Sequence, residues 1–499
     1  MSLVSGKGRA LGGSRHFRLT ILAAAAVLSS CTLIVDGIVN QCTTDSDCSK
    51  LGSGLQCVNR GCVRANLAGA DPDCAETAGV DAPGSRRFAA VLGFTTSSGS
   101  ADPRGPVRAM AIKLAIDGLN DPANRLTTDP TYFVRLCDDH DSTTEDVAKA
   151  TELVSDGYLA LITGGTSSTL AVSDVAAPLG VPTISVSASS SQLVTAGLQP
   201  DGGPKLVWSV GISDAVQAQV LGQVAADAGY RSAAAVVNSA DGFEELYQLI
   251  DQATLAQSSG NLFVSSVSFS DGPDAGLAQA VGQVLAGASP PDVVFPVMAI
   301  SDSTPFFNAW FAATPRNPAW LFTDNSYDNA LFEDTLSDGG VDNARLAFLL
   351  GSLGTGPALP STSPVYLAFY SLFEQTYNQD PNQVSYVPNA YDAALLLAAA
   401  SVWGQFHGGA TPESVAAGLG HLSALGQPIV SLEPGNFPST IEPALSEGLD
   451  VNVTGASGTL DFDPLTGIAS SPVQLWTLTD AGFVTLQVYE SVDGGLARQ

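Results

Sequence analysis

Apolar positions along this chain come in short unbroken runs, separated by stretches with a helical period. Runs at 88–94, 132–136, 159–163 and 183–186 predict strands, and helical patterns at about 105–119, 144–155 and 167–179 alternate with them. After a break the alternation resumes. Strands are expected at 233–237, 262–269, Val293–Val297 and 320–323, with helices at Glu244–Gln257, 275–286 and 305–312. Helices near 365–377, 389–405 and 412–425 follow, and short β segments at 459–462, 473–478 and 483–488 complete the pattern. The strands are continuously apolar rather than alternating, as expected of parallel sheets covered on both faces. Repeated βαβ units imply right-handed crossovers and doubly wound sheets. The units outnumber what one sheet usually takes. The expected fold class is therefore α/β, with two doubly wound Rossmann-like lobes.

The segment before this region has a different pattern. Lys7, Arg9, Arg15 and Arg18 precede an apolar run from Leu19 to Leu28, and Leu28-Ser29-Ser30-Cys31 follows. A basic head, a short greasy core and small residues make an export signal, and the stretch resembles a bacterial lipoprotein signal with Cys31 as the lipidated residue. Ordinary cleavage, or an uncleaved anchor running to Val35, are the rival readings. Cys42, Cys48, Cys57 and Cys62 then crowd a stretch with no amphipathic period. In an oxidising compartment this reads as a small disulfide-rich module. Zinc is the rival, but no paired C-x2-C and no histidine supports it. Four cysteines allow three pairings. Cys74, in the Asp/Ala/Gly-rich linker, and Cys137, in the main domain, are candidates to pair with each other. The divisions expected are 1–30 signal, 31–85 anchored module and linker, 86–208 plus 350–454 first lobe, and 209–349 plus 455–499 second lobe.

Composition narrows the function. Against 49 acidic residues stand 20 basic ones, a net charge of −29. Loss of the signal would remove four basic residues and take it to −33. Such a surface disfavours nucleic acid, which needs Lys/Arg patches, and electrostatic docking on anionic lipid, leaving a lipid anchor as the only membrane contact. Of the four histidines, His140, His407 and His421 lie beyond the signal, with no obvious nucleophile partner. The G-x-S-x-G, H-E-x-x-H and G-x-x-x-x-G-K-[ST] motifs are missing. No catalytic residue, cofactor or metal is expected. Asp138, Asp139, His140 and Asp141 read as a solvated strand end, because consecutive residues rarely converge on one ion.

Ligands of such sheets sit at the carboxyl ends of strands. Gly164-Gly-Thr-Ser-Ser-Thr169 opens the helix after one strand, where glycine lets the backbone approach and free N–H groups with hydroxyls suit an anion. Ser187-Ala-Ser-Ser-Ser191 follows the next strand. Either cluster alone reads as helix capping; two at neighbouring strand ends point to a site. Asp324-Asn325, after strand 320–323, is a candidate to receive an ammonium group, with a solvated turn as the plain alternative.

The order of these pieces is similar to that of type I periplasmic binding proteins, and most of all to the branched-chain amino-acid receptor branch of ABC importers. The resemblance rests on Glu152-Leu-Val-Ser-Asp-Gly-Tyr158, Gly164-Gly-Thr-Ser-Ser168, Leu179-Gly-Val-Pro182, and Ile184-Ser185 through Ser191. Gly105 to Asn120, Val207 to Asp214, Asn389 to Ala393 and Gly455 to Asp463 add to it in order, so that it covers roughly 86–490. It implies a bilobed receptor with three hinge crossings, near 208–213, 347–351 and 453–457. It also implies that Thr166, Ser167, Ser187 and Ser189 hold a ligand's carboxylate and amino group. The second lobe would add an acid, at Asp324 or Asn325, and an aromatic near Asp241-Gly-Phe243, with Phe243 the nearest candidate. The long loop 95–104 departs from the family's glycine-rich version. The implied function is capture of a small amino-acid-like or carboxylate solute by hinge closure, on a lipid-anchored periplasmic or envelope protein serving an ABC permease. The alternative is a sensing or structural envelope lipoprotein on the same fold.

Overall fold

The structure, a computed structural model, describes residues 43–48, 55–58, 61–64 and 71–499, apart from 97–98, 100, 126–129, 200–201, 240–242, 271–274, 288–289, 315, 333–341, 425, 464–465 and 493–494. The expected signal peptide, Cys31 and Cys42 lie outside the described residues. Of the cysteine module the structure gives a one-turn helix α1 (Asp45–Cys48) and an antiparallel hairpin of β1 (Leu55–Val58) and β2 (Gly61–Arg64), in which Cys57 and Cys62 stand opposite each other. Cys57 is disulfide-bonded.

The linker does not stay outside the fold. A 3-10 turn (Pro72–Cys74) leads into β3 (Glu76–Gly79), which pairs antiparallel with β5 (Tyr132–Asp138) at the edge of the first sheet. Cys74 is disulfide-bonded to Cys137 of that same strand. Lys149 is paired with Asp71 and Asp73, and Arg135 Nε donates to the Cys74 carbonyl at 3.0 Å.

The rest of the first sheet is parallel, built from β4 (Arg86–Leu92), β6 (Ala160–Thr163), β7 (Thr183–Ser185) and β8 (Val207–Ser209), in the order β3-β5-β4-β6-β7-β8. Its crossover helices are α2 (Arg104–Asn120), α3 (Thr143–Ser155) and α4 (Thr166–Ala176). The chain then crosses to a second sheet. Helices α5 (Asp214–Asp227), α6 (Glu244–Gln257), α7 (Ala275–Leu285) and α8 (Ser303–Ala313) alternate with β9 (Ala233–Asn238), β10 (Val264–Phe269), β11 (Val293–Val297) and β12 (Ala319–Phe322). Pairing of β11 with β12 stops at Val294, two residues before Pro296, whose nitrogen has no hydrogen to donate.

A short helix α9 (Asn343–Leu349) and a strand β13 (Leu353–Pro357) extend this sheet, parallel to β12. The second crossing therefore falls after Pro357, not at the expected 349/350 boundary. Glycine explains why β13 is not apparent in the pattern: a Cβ at Gly354 would lie 2.2 Å from the Trp476 ring. The chain returns to the first lobe through α10 (Pro364–Tyr377), α11 (Val387–His407), α12 (Pro412–Leu419), α13 (Glu442–Ser446) and a small sheet of β14 (Ile429–Ser431), β15 (Asn452–Gly455) and β16 (Gly458–Thr459). Helix α11 is apolar nearly all round and buried from Val387 to Val402, as a helix enclosed by core must be. Val453, Ala456, Leu460 and Ala469 still belong to the first core. The third crossing thus comes just before β17 (Val473–Thr479), later than the expected 453–457. With β18 (Gly482–Val492) and β19 (Gly495–Arg498) it completes the second sheet, β10-β9-β11-β12-β13-β17-β18-β19. An aromatic cluster of Phe306, Phe307, Trp310, Trp320, Phe322 and Trp476 fills one of its faces.

Candidate functional site

The strands β4, β5, β6 and β7 deliver their carboxyl ends to one cavity of about 140 Å³, and the second lobe supplies the facing wall. Of the residues expected at a site, Thr166, Ser167, Ser187, Ser189, Phe243 and Asn325 line it. Helix α4 starts at Thr166 with no side-chain cap on its first N–H groups, so the end of its dipole opens on the cavity. The two serine clusters are tied together: Ser189 N–H donates to Thr166 Oγ1 at 3.3 Å, and Ser187 N–H donates to the Gly164 carbonyl at 3.3 Å. Among the lining residues from the second lobe are Phe243, Leu246, Ala299 and Asn325.

Asp324 is placed differently. It is buried, its carboxylate accepts from the Tyr386 hydroxyl at 2.5 Å, and its N–H donates to Gln217 Oε1 at 2.6 Å. Gln217 Oε1 also receives the Thr355 hydroxyl at 2.6 Å. One residue of offset thus separates a hinge-binding acid from Asn325 in the wall. Asp241 and Gly242 lie outside the described residues.

The strand end 138–141 is solvated only in its second half: Asp141 is exposed and His140 half-buried, but Asp138 and Asp139 are buried. Asp138 fastens the loop after β4, accepting the Phe94 N–H at 2.9 Å and the Thr95 hydroxyl at 2.7 Å. Burial raises its pKa, but these donors prevail and hold it low. Asp139 faces Asp146; burial pushes both up, Asp146 to about 6, even though Ser168 donates to Asp146 at 2.6 Å. Asp139 and Asp141 line the cavity.

The charged residues of the wall escaped the reading of sequence. Asp102, Arg104, Arg108 and Asp214 all contribute. Arg104 grips Asp102, with Nη2 2.6 Å from Oδ2 and Nε 3.0 Å from Oδ1. Asp214, at the start of α5, is raised to about 7 by burial and then by the nearby Asp324 charge, against a hydrogen bond from Ser189. The available signal was two arginines one turn apart, Arg104 and Arg108, in an apolar helix of a chain with only 20 basic residues.

Glu245, at the first turn of α6, reaches back to the first lobe. Its carboxylate accepts from the Ser190 and Ser191 hydroxyls and from Gln192 Nε2 at 3.2 Å. The donors lie on one lobe and the acceptor on the other, so this group bridges the two walls.

A family model described as "Receptor family ligand binding region" matches residues 107–480. No curated protein matches the chain. Among solved structures, the leucine-binding protein LivK of Thermotoga maritima MSB8 is similar at 16% identity and a TM-score of 0.61, covering 81% of this chain and 98% of that one. LivJ of Streptococcus pneumoniae in complex with isoleucine gives 14%, 0.61, and 83% and 100%. A solute-binding protein of an ABC transporter from Rhodopseudomonas palustris BisB5, in complex with 3,4-dihydroxybenzoic acid, gives 16%, 0.60, and 82% and 98%. At these identities the likeness is one of fold.

Proposed function

The chain belongs to the family of receptor ligand-binding regions, and from that premise we propose that it is an extracytoplasmic solute-binding protein that captures a small polar ligand, amino-acid-like or a carboxylate, by closing two lobes. The observation that carries the reading is the cavity where the α4 N-terminus and two serine clusters of one lobe face Phe243 and Asn325 of the other. Hydroxyls and the N–H groups at the start of α4 take a carboxylate, the aromatic covers the ligand's apolar part, and Asn325 or Asp214 receives an amino group. A ligand touching both walls favours the closed state by as much as its contacts there exceed those in the open one. Solved relatives that are transporter receptors support service to an ABC permease. The basic and apolar segment before Cys31 supports export and a lipid anchor.

A thermal-shift screen against amino acids and small carboxylates tests capture. Binding at a hundred times Kd stabilises by about 2.7 kcal/mol. A hit should vanish in the Ser187→Ala plus Ser189→Ala variant; if no solute shifts the melt at millimolar concentration, the receptor reading is wrong. The anchor is tested separately. Cys31→Ala should move the protein from the membrane fraction to the soluble one, and retention on the membrane would refute it.

A further inference from the structure

Arg108 brings a buried positive charge to the cavity with no carboxylate in ion-pair contact among the described residues. It lines the cavity and is only 7% exposed. Its Nε donates to the Ser385 carbonyl at 3.1 Å and its Nη2 to the Ser385 hydroxyl at 3.3 Å. The guanidinium carbon lies 5.6 Å from the centre of the Tyr386 ring. All of these partners are neutral. Among the described residues no carboxylate comes within ion-pair distance of it. Asp102 is paired with Arg104, and both Asp102 and Asp328 act on Arg108 through space without an ion-pair contact, while the second oxygen of Asp328 stays without a hydrogen-bond partner. An arginine buried in this way costs several kcal/mol unless an anion meets it. Burial, with Arg104 beside it, lowers its pKa to about 10, which still leaves it charged at neutral pH.

Of the other acids of the wall, burial raises Asp139, and Asp214 is raised to about 7. Asp141 acts on Arg104. The uncapped start of α4, in the same cavity, also favours an anion. We propose that the captured solute carries two anionic groups, one seated at Thr166, Ser167 and Ser187 and the other received by Arg108, which makes it a short dicarboxylate or an acidic amino acid. This rests on the solute-binding reading above and names its ligand class. A guanidinium and a carboxylate form paired, charge-assisted hydrogen bonds, which an uncharged chain end cannot replace.

The test is calorimetric titration of the full chain with pairs matched in carbon number, glutarate against pentanoate, and with glutamate against leucine. The diacids should bind about ten- to a hundredfold tighter than their monoacid partners. In R108Q, with its fold checked by circular dichroism, the glutarate-to-pentanoate ratio should drop below about threefold, and R108K should restore part of it. Glutarate against glutamate tells a plain diacid from an acidic amino acid. If leucine or pentanoate binds the wild-type chain as tightly as the diacids, the two-anion inference is overturned while the receptor reading stands. If nothing in the panel binds, the two-anion inference falls, and the thermal-shift screen decides the receptor reading.

Discussion

Asp214 shows how single side chains connect the site to stability. Its ordinary pKa is 3.8 and in the fold it is about 7, first because it is buried and then because Asp324 is near. The fold therefore prefers its protonated form. The stability it contributes is complete below about pH 4 and is lost as the pH rises through about 7. Asp214→Asn mimics the protonated form, so in the absence of added ligand it should melt like wild type near pH 4 and above it by pH 8. The gap, a few kcal/mol at most, can be followed by calorimetric melts across that range; a gap that stays constant with pH would contradict the assignment. These acids also show where sequence falls short. Thr166, Ser167, Ser187, Ser189 and Asn325 could be placed because strand ends and hydroxyl runs are local patterns. Arg108 and Asp214 could not, because their significance is in burial and in which partner each lacks, and burial is set by elements far away in the chain.

Elements repeat this division. Helix α6 and strand β11 begin and end where the apolar pattern puts them, at Glu244–Gln257 and Val293–Val297. Strand β13 hides because its sequence, Leu-Gly-Thr-Gly-Pro, trades apolar side chains for room under Trp476. Helix α5 passes unnoticed because Gln217 and Asp214 face inward and interrupt its apolar stripe. The disulfide from Cys74 to Cys137 is of another kind: the sequence offers the pair as a candidate and the structure forms it, joining an edge turn to the next strand inward across 63 residues. Closing a loop of that length removes entropy from the unfolded chain worth about 4 kcal/mol. The Cys74→Ser plus Cys137→Ser variant should lose stability of that order in denaturant melts. A loss below about 1 kcal/mol would mean that the Lys149, Asp71 and Asp73 contacts hold the turn unaided.

For the whole molecule the decisive feature is the bridge between lobes. Glu245 gathers three donors from the first lobe, and Tyr386 and Gln217 converge on Asp324 near the crossings. If capture works by closure as proposed, part of the closing contact is thus built into the protein, and a ligand would add to it. Glu245→Gln replaces an acceptor of charge-assisted hydrogen bonds with a weaker one, worth on the order of 1–2 kcal/mol. It should enlarge the radius of gyration seen by small-angle scattering and weaken capture of any ligand about three- to tenfold. Unchanged scattering with unchanged affinity would show that the bridge does not govern closure. Sequence could announce two lobes and three crossings, since these follow from counting βαβ units and from the resemblance. It set two of the crossings too early, at 347–351 and 453–457, because strand pairing and core membership, not local pattern, decide where a chain leaves a lobe.

The anchoring of the linker has a mechanical meaning. Tension along the N-terminal chain enters the fold at the turn that holds Cys74, and the disulfide together with β3 passes it into the first sheet. The load path ends there, in the lobe that carries Thr166 and Ser187. The second lobe bears none of it. If the N-terminal segment is anchored as proposed, a tether attached in this way would make the first lobe the stator and leave the second to swing, so that drag or crowding on the leash need not open or close the jaws.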